Sequence, residues 1–371
     1  MKSSLFADLN VIGMRGCEDF VSQVDGYLKE WRRHDNEGTF LIQANCPRFG
    51  SGEGKGMLKE SIRGNDVYII TDIFNYGVTY NMYQMTVPMS PDDHFQDLKR
   101  IISAAGGKSR RLSVIMPMLY EGRQHKRSSR ESLDCAVALQ ELVSMGVSNI
   151  ITFDAHDPRV QNAIPLCGFE NVRTSYQMIK ALVKTYPDII IDSDHMMVVS
   201  PDEGGMGKCM YYASMLGLDL GMFYKRRNYS VIIDGKNPIE AHEYLGRSVE
   251  GKDIIIVDDM ISSGDSVIEV VEQLKEKGAG RIFVFASFGL FCNGLEHMDQ
   301  AYKDGKFTKI FTTNLIYRSP ELKKREWYGE VNMCKYVAYI IDTLNHDQTI
   351  SGLLDQSKRI HSLMEKHRKE L

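Results

Sequence analysis

Cysteine is scarce and unpaired in this chain. Its seven residues, at 17, 46, 135, 167, 209, 292 and 334, are odd in number, widely spread and without a CxxC pair. That pattern excludes a disulfide framework and a cysteine-built zinc site, and it points to a reducing, cytoplasmic setting. No apolar run reaches the roughly 18 residues of a membrane-spanning helix. One of the longest, RIFVFASFGLF at 281–291, opens on an arginine. The start, MKSSLFADLNVIGMRGCEDF, is broken by Asp8, Asn10 and Arg15 and does not read as a secretory leader. Charge of one sign is lacking too: 45 basic residues against 49 acidic leave a net of −4, so neither nucleic acid nor an anionic membrane is an expected partner. Any anion site must be local. Tandem repeats and low-complexity tracts are absent. What remains is an ordinary globular mixture, 43% hydrophobic and 25% charged. At about 150 residues per domain, 371 residues leave room for two domains, each able to bury a core.

From residue 66 onward, short β-branched runs alternate with helical patterns, as expected of mostly parallel α/β sheets flanked by helices. Strands are expected at 67–71, 112–116, 150–153, 196–199, 220–224, 254–257, 282–286 and 310–315. Leu133, Ala136, Leu139 and Val143 recur at helical spacing and stop at Gly146; Val267, Val270, Val271 and Leu274 do so and stop at Gly278. A joint is placed near 168–175, where the loop DAHDPRVQNAIPLCGFENV gives way to the helix SYQMIKALVKTY. The expected division is 1–40 as an N-terminal extension, 41–171 and 172–336 as two domains, and 337–371 as a C-terminal helical segment. The tail's charges read as the solvated face of an amphipathic helix.

The strongest chemical signal is DIIIVDDMISSGDSVIEVV, residues 253–271: an apolar strand, two adjacent carboxylates, a small-residue turn and an amphipathic helix. Ser262, Ser263, Gly264, Asp265 and Ser266 offer backbone N–H groups and hydroxyls at a helix N-terminus, where the dipole favours an anion. Asp258 and Asp259, at the strand's carboxyl end, can accept hydrogen bonds from ribose hydroxyls. Helix capping alone would explain one of these residues. Two adjacent carboxylates ending a buried strand are costly unless they bind something.

This segment resembles the phosphoribosyl diphosphate signature shared by type I phosphoribosyltransferases and ribose-phosphate pyrophosphokinases, and it does not choose between them. The rest of the chain, from about 38 to 355, is similar to the pyrophosphokinases. YEGRQHKRSSRESLDCAVALQEL (120–142) gathers four basic residues, Arg123, Lys126, Arg127 and Arg130, after a strand end; out of context a solvated face is the readier reading. Its Arg123 and Gln124 match the family's ATP-binding Arg-Gln pair. ITFDAHDPRVQNAI (151–164) resembles the Asp-x-His segment, which implies that His156 lies near the metal of Mg·ATP, although a lone histidine is more often structural and magnesium prefers oxygen. SPDEGG (200–205) matches a turn whose aspartate, Asp202, contacts ribose 5-phosphate or metal; as a bare sequence it is equally an ordinary βα connection. KRR, after the strand GMFY, places Lys225 and Arg227 on the family's catalytic Lys-x-Arg. CPRFGSGEGKG (46–56) resembles the hairpin that supplies the adenine pocket of a neighbouring subunit, with Phe49 stacking on the base and Ser51 and Glu53 reading its edge.

The resemblance therefore implies two phosphoribosyltransferase-like (Rossmann-like) domains, with ATP on the first and ribose 5-phosphate on the second. It also implies Mg2+ as cofactor, held by His156 and Asp202, and a homo-oligomer with adenine sites shared between subunits. Departures are visible. The phosphate loop commonly reads Asp-Thr-Ala/Cys-Gly-Thr where Ser262 to Ser266 stand, and Asp265 adds a carboxylate that must point away from a bound phosphate. Ser51 replaces an Asn or Asp, His125 replaces an acidic residue, and an insertion occupies 75–93. Two alternatives stay open at this level: a type I phosphoribosyltransferase, and a non-catalytic regulatory member of the pyrophosphokinase family.

Overall fold

The computed structural model describes residues 5–32, 38–227 and 239–371, with 225–227 and 239–242 as backbone only. The chain divides into two compact units. One comprises Met1–Arg173, Asn314–Ser319 and Asn332–Asp355; the other comprises Thr174–Thr313, Pro320–Val331 and Gln356–Leu371.

In the first unit, five parallel strands run in the order Leu9–Gly13, Asp66–Ile70, Arg111–Ile115, Asn149–Phe153, Gly168–Val172. The middle strands are largely apolar and buried; on one face Val67, Ile69, Val114 and Ile150 pack with Leu98 and Ile101 of helix Pro91–Ala105 and with Leu139 and Leu142 of helix Asp134–Ser144. Helix Pro91–Ala105 starts on a capping box, with Ser90 Oγ accepting from Asp93 N and the Asp93 carboxylate accepting from Ser90 N. It stops at Gly106 in the left-handed conformation (φ 53°).

Three expectations change here. The stretch 9–31, expected within an extension, forms an edge strand and the helix Glu18–Trp31; LNVIG is short and only half covered, so its pattern is faint. GFENV, expected as loop, is the opposite edge strand, partly exposed at four of its five positions and so without an apolar run. The C-terminal segment splits. Helix Cys334–Asn345 belongs to the first unit, where Tyr339 stacks on Trp31 at 4.3 Å between ring centroids, whereas helix Ser357–Glu370 belongs to the second.

Buried Asp72 ties segment 314–319 into the first unit, its carboxylate accepting from Phe74 N (3.0 Å) and Tyr317 N (2.6 Å). Burial pushes this carboxyl up to about 7, against the opposing pull of the two N–H groups and Arg318. The folded chain thus holds the proton more tightly than the unfolded chain, whose carboxyl titrates near ~3.9. Its stabilising contribution is complete below that pH and is lost as pH rises through about 7. Melting temperature is expected to fall between pH 5 and 8, and to fall less in Asp72→Asn. Equal slopes in the two proteins would contradict this assignment.

The second unit is a seven-stranded sheet in the order Ile239–Leu245, Asp219–Arg227, Met196–Ser200, Asp253–Ile261, Ile282–Gly289, Lys309–Thr313, Tyr328–Val331. All pairs are parallel except the first, which is antiparallel. Every residue of the interior strand Ile282–Gly289 is buried. Across both units the eight expected strands are present, with ends displaced by up to four residues. No helix among the described residues is long and apolar enough to cross a membrane.

Candidate active site

Strand Asp253–Ile261 stays paired with its neighbour as far as Ile261↔Gly289, so the loop that follows emerges at the carboxyl end of the sheet. Gly264 adopts φ +103°, a conformation side chains resist, and helix Asp265–Glu276 starts from it without a side-chain cap. Three successive carbonyls are satisfied away from the loop. Ser262 O accepts from Cys292 N (2.9 Å), Ser263 O from His297 Nε2 (2.8 Å) and Gly264 O from Ile268 N (3.0 Å). The N–H groups of Gly264 and Ser266 take no hydrogen-bond partner among the described residues, and that of Asp265 has only a 3.4 Å contact with Ser263 Oγ. Free N–H groups at the start of a twelve-residue helix form an anion cradle without any lysine. The Asp265 side chain is 70% exposed, on the solvent side of the loop.

Beside the cradle stand the paired carboxylates. Asp259 is 5% exposed and lies 3.4 Å from Lys208 Nζ; its N–H donates to Asp258 Oδ1 at 2.8 Å. Burial, followed by the charge of Asp259 and the more distant Asp202, pushes Asp258 well above the usual carboxylate range. Asp202 Oδ1 accepts from Gly205 N (3.0 Å), and its carbonyl accepts from Ser200 Oγ (2.6 Å), which fixes the turn between strand Met196–Ser200 and helix Met206–Leu216. A Cβ on Gly205 would stand 3.0 Å from Ser200 Oγ, so the turn is tight at this glycine. Lys208 was not among the expected site residues. Its signal was present, since a lysine in the first turn of a helix opposes the dipole unless an anion holds it.

In the first unit, strands Arg111–Ile115 and Asn149–Phe153 are neighbours, and the loops after them come together. The rings of His125 and His156 lie 5.2 Å apart, and His125 Nε2 is 3.5 Å from Asp157 Oδ2. The Arg159 fork on Asp157 holds that carboxyl down to about 2. Gln124 Nε2 donates to Ser132 O at 2.9 Å, and Arg123 is exposed. His125, read from sequence only as a departure, thus belongs to the His156 cluster. Phe49, Ser51 and Glu53 share a separate loop, in which Phe49 N donates to Glu53 O (2.7 Å) and Ser51 Oγ to Glu53 Oε2 (2.8 Å). Phe49 is 57% exposed. The insertion folds as a hairpin, Thr79–Met82 with Met85–Pro88, which buttresses this loop: Tyr83 N donates to Gly50 O, and a Cβ on Gly52 would meet Met82 Sδ at 2.6 Å.

Lys225 and Arg227 end strand Asp219–Arg227 in register with His242 and Ile239; their side chains lie outside the described residues. His156 falls in the first unit and Asp202 in the second. Among the described residues, no three His, Cys, Asp or Glu side chains are grouped as a metal centre.

Two α/β units, the second carrying an anion loop beside paired carboxylates, define the phosphoribosyltransferase class of fold. The family model for the N-terminal domain of ribose phosphate pyrophosphokinase matches residues 9–146, and the phosphoribosyl transferase domain model matches 171–316. The chain belongs to the ribose-phosphate pyrophosphokinase family. The first match begins at the edge strand, which places 9–40 inside the N-terminal domain. The ribose-phosphate pyrophosphokinase of Pasteurella multocida is 26% identical over 316 residues, 84% of this chain and 91% of that protein. That of Ureaplasma parvum is 29% identical over 283 residues, 76% and 78%. The crystal structure of phosphoribosylpyrophosphate synthetase from Mycobacterium smegmatis shares the fold at a TM-score of 0.74 and 20% identity, covering 92% of this chain and 99% of that one.

Proposed function

We propose that this protein is a ribose-phosphate pyrophosphokinase, transferring the diphosphate of Mg·ATP to the C1 hydroxyl of ribose 5-phosphate to give phosphoribosyl diphosphate and AMP. The observation that carries this reading is the loop 262–266, its carbonyls turned away and its N–H groups open, beside Asp258 and Asp259. The cradle takes the 5-phosphate, and the carboxylates accept from the ribose hydroxyls. Lys208 Nζ, 3.4 Å from Asp259 Oδ1, offsets the charge of that carboxylate. ATP belongs to the first unit: the exposed ring of Phe49 offers a face for adenine, Ser51 and Glu53 read its edge, and Arg123, Gln124 and His156 serve the phosphates.

Asp202, Asp258 and Asp259 are the oxygen donors a hard divalent cation prefers, and burial followed by the charge of Asp259 raises the proton affinity of Asp258. Asp202 in the second unit and, separately, His156 in the first would each offer a ligand to Mg2+, which would supply neutralisation of phosphate oxygens. The chain's own residues hold and orient the reactants, which is most of what phosphoryl-type transfer requires. The C1 hydroxyl attacks the β-phosphorus, AMP leaves, and Lys225 and Arg227 offset the developing charge. An exposed Phe49 suits an adenine site completed by another subunit of a homo-oligomer, and seven free cysteines suit the cytoplasm.

Incubation with Mg·ATP, with and without ribose 5-phosphate, tests the proposal. AMP and phosphoribosyl diphosphate are expected in equal amounts and only with the sugar. AMP without sugar would mean hydrolysis. No product at all would favour a transferase that consumes phosphoribosyl diphosphate, or a regulatory member of the family.

A further inference from the structure

We propose that His297 is a positioning residue for the phosphate cradle: it donates Nε2–H to Ser263 O and so holds the loop 262–266 open to an anion. The inference deepens the ribose 5-phosphate reading and rests on it. His297 comes from a different element, the first turn of helix Glu296–Lys303, and reaches back 34 residues to a loop it does not adjoin. A carbonyl only accepts, so the 2.8 Å contact assigns the proton to Nε2.

Of the three carbonyls turned away from the loop, two are held by backbone N–H groups, those of Cys292 and Ile268. Ser263 O is held by a side chain, that of His297. Without that donor the peptide linking Ser263 to Gly264 loses the bond that fixes its orientation. Rotation of this peptide would turn a carbonyl dipole toward the anion and take the Gly264 N–H away from it. Gly264 is shaped to the same contact: a Cβ there would stand 2.9 Å from His297 Nε2 and 2.8 Å from Met298 Sδ. The same nitrogen lies 3.9 Å from Asp265 Oδ1.

The test compares His297→Ala, His297→Gln and His297→Asn with the parent protein by steady-state kinetics and by calorimetric binding of ribose 5-phosphate. Glutamine places an amide N–H near the Nε2 position; asparagine mimics Nδ1. His297→Ala is expected to raise the KM and Kd for ribose 5-phosphate roughly three- to tenfold, the effect of one net hydrogen bond, with kcat and the KM for ATP within about twofold. Glutamine should restore most of the loss and asparagine little of it. Unchanged ribose 5-phosphate binding in the alanine variant overturns the inference. So does a loss shared equally by kcat and both KM values, or one that glutamine leaves unrepaired while melting stays normal. A parent protein that makes AMP from ATP and ribose 5-phosphate but shows no His297 effect sinks this inference alone. A parent that binds no ribose 5-phosphate sinks the reading of the loop, and this inference with it.

Discussion

Lys225→Ala is expected to lower kcat by about 10³-fold while ribose 5-phosphate binds within about twofold of normal, because a cation meeting charge that develops only in transfer acts on the barrier and not on the ground state. Lys225 sits two positions beyond Phe223, the last buried residue of its strand among those described, and is paired through backbone with His242. In the proposed reading the sugar's groups are met instead by the loop 262–266 and by Asp258 and Asp259, on another strand and the loop after it. Steady-state kinetics with direct binding of ribose 5-phosphate separates the two effects. A raised KM at normal turnover would assign Lys225 to substrate binding and remove it from the chemistry.

Arg111→Met is expected to destabilise the first unit by about 3–5 kcal/mol, as when one partner of a buried ion pair is removed. Asp66 is wholly buried, and Arg111 meets it with two nitrogens, Nε at 2.8 Å and Nη2 at 2.6 Å. The same Nη2 donates to Leu344 O (2.8 Å), and Asn345 Nδ2 donates to Asp66 (2.9 Å), so the pair also anchors the end of helix Cys334–Asn345. The loss arises chiefly from an uncompensated carboxylate. The double variant Asp66→Asn/Arg111→Met should therefore regain part of it. Urea denaturation of the single and double variants decides the matter: equal destabilisation in both would show that packing of the arginine stem, and not the stranded charge, dominates.

The residues that carry the proposed chemistry were largely legible because they sit where strands end, and strand ends are marked by a switch from β-branched runs to small and polar residues. DIIIVDD followed by SSGDS is such a switch, and the structure puts a left-handed glycine and a helix start at that point. The edge strands Leu9–Gly13 and Gly168–Val172 were not legible, since partly exposed strands lack the continuous apolar run of a central one. Nor were the partners of Lys208, His125 and His297 legible. Each acts across a gap in sequence, on Asp259, on Asp157 beside His156, and on Ser263.

By itself the sequence determined the alternation of strand and helix, the family, and the identity of the loop beside its two carboxylates, because these follow from local pattern over some twenty consecutive residues. Only tertiary structure decided which edge strands complete each sheet and how the C-terminal helices are shared between the units. The same holds for the carbonyls turned away so that N–H groups face an anion. The reason is physical: hydrogen bonds and ion pairs between distant segments depend on where the folded backbone brings them, and spacing along the chain carries no record of that.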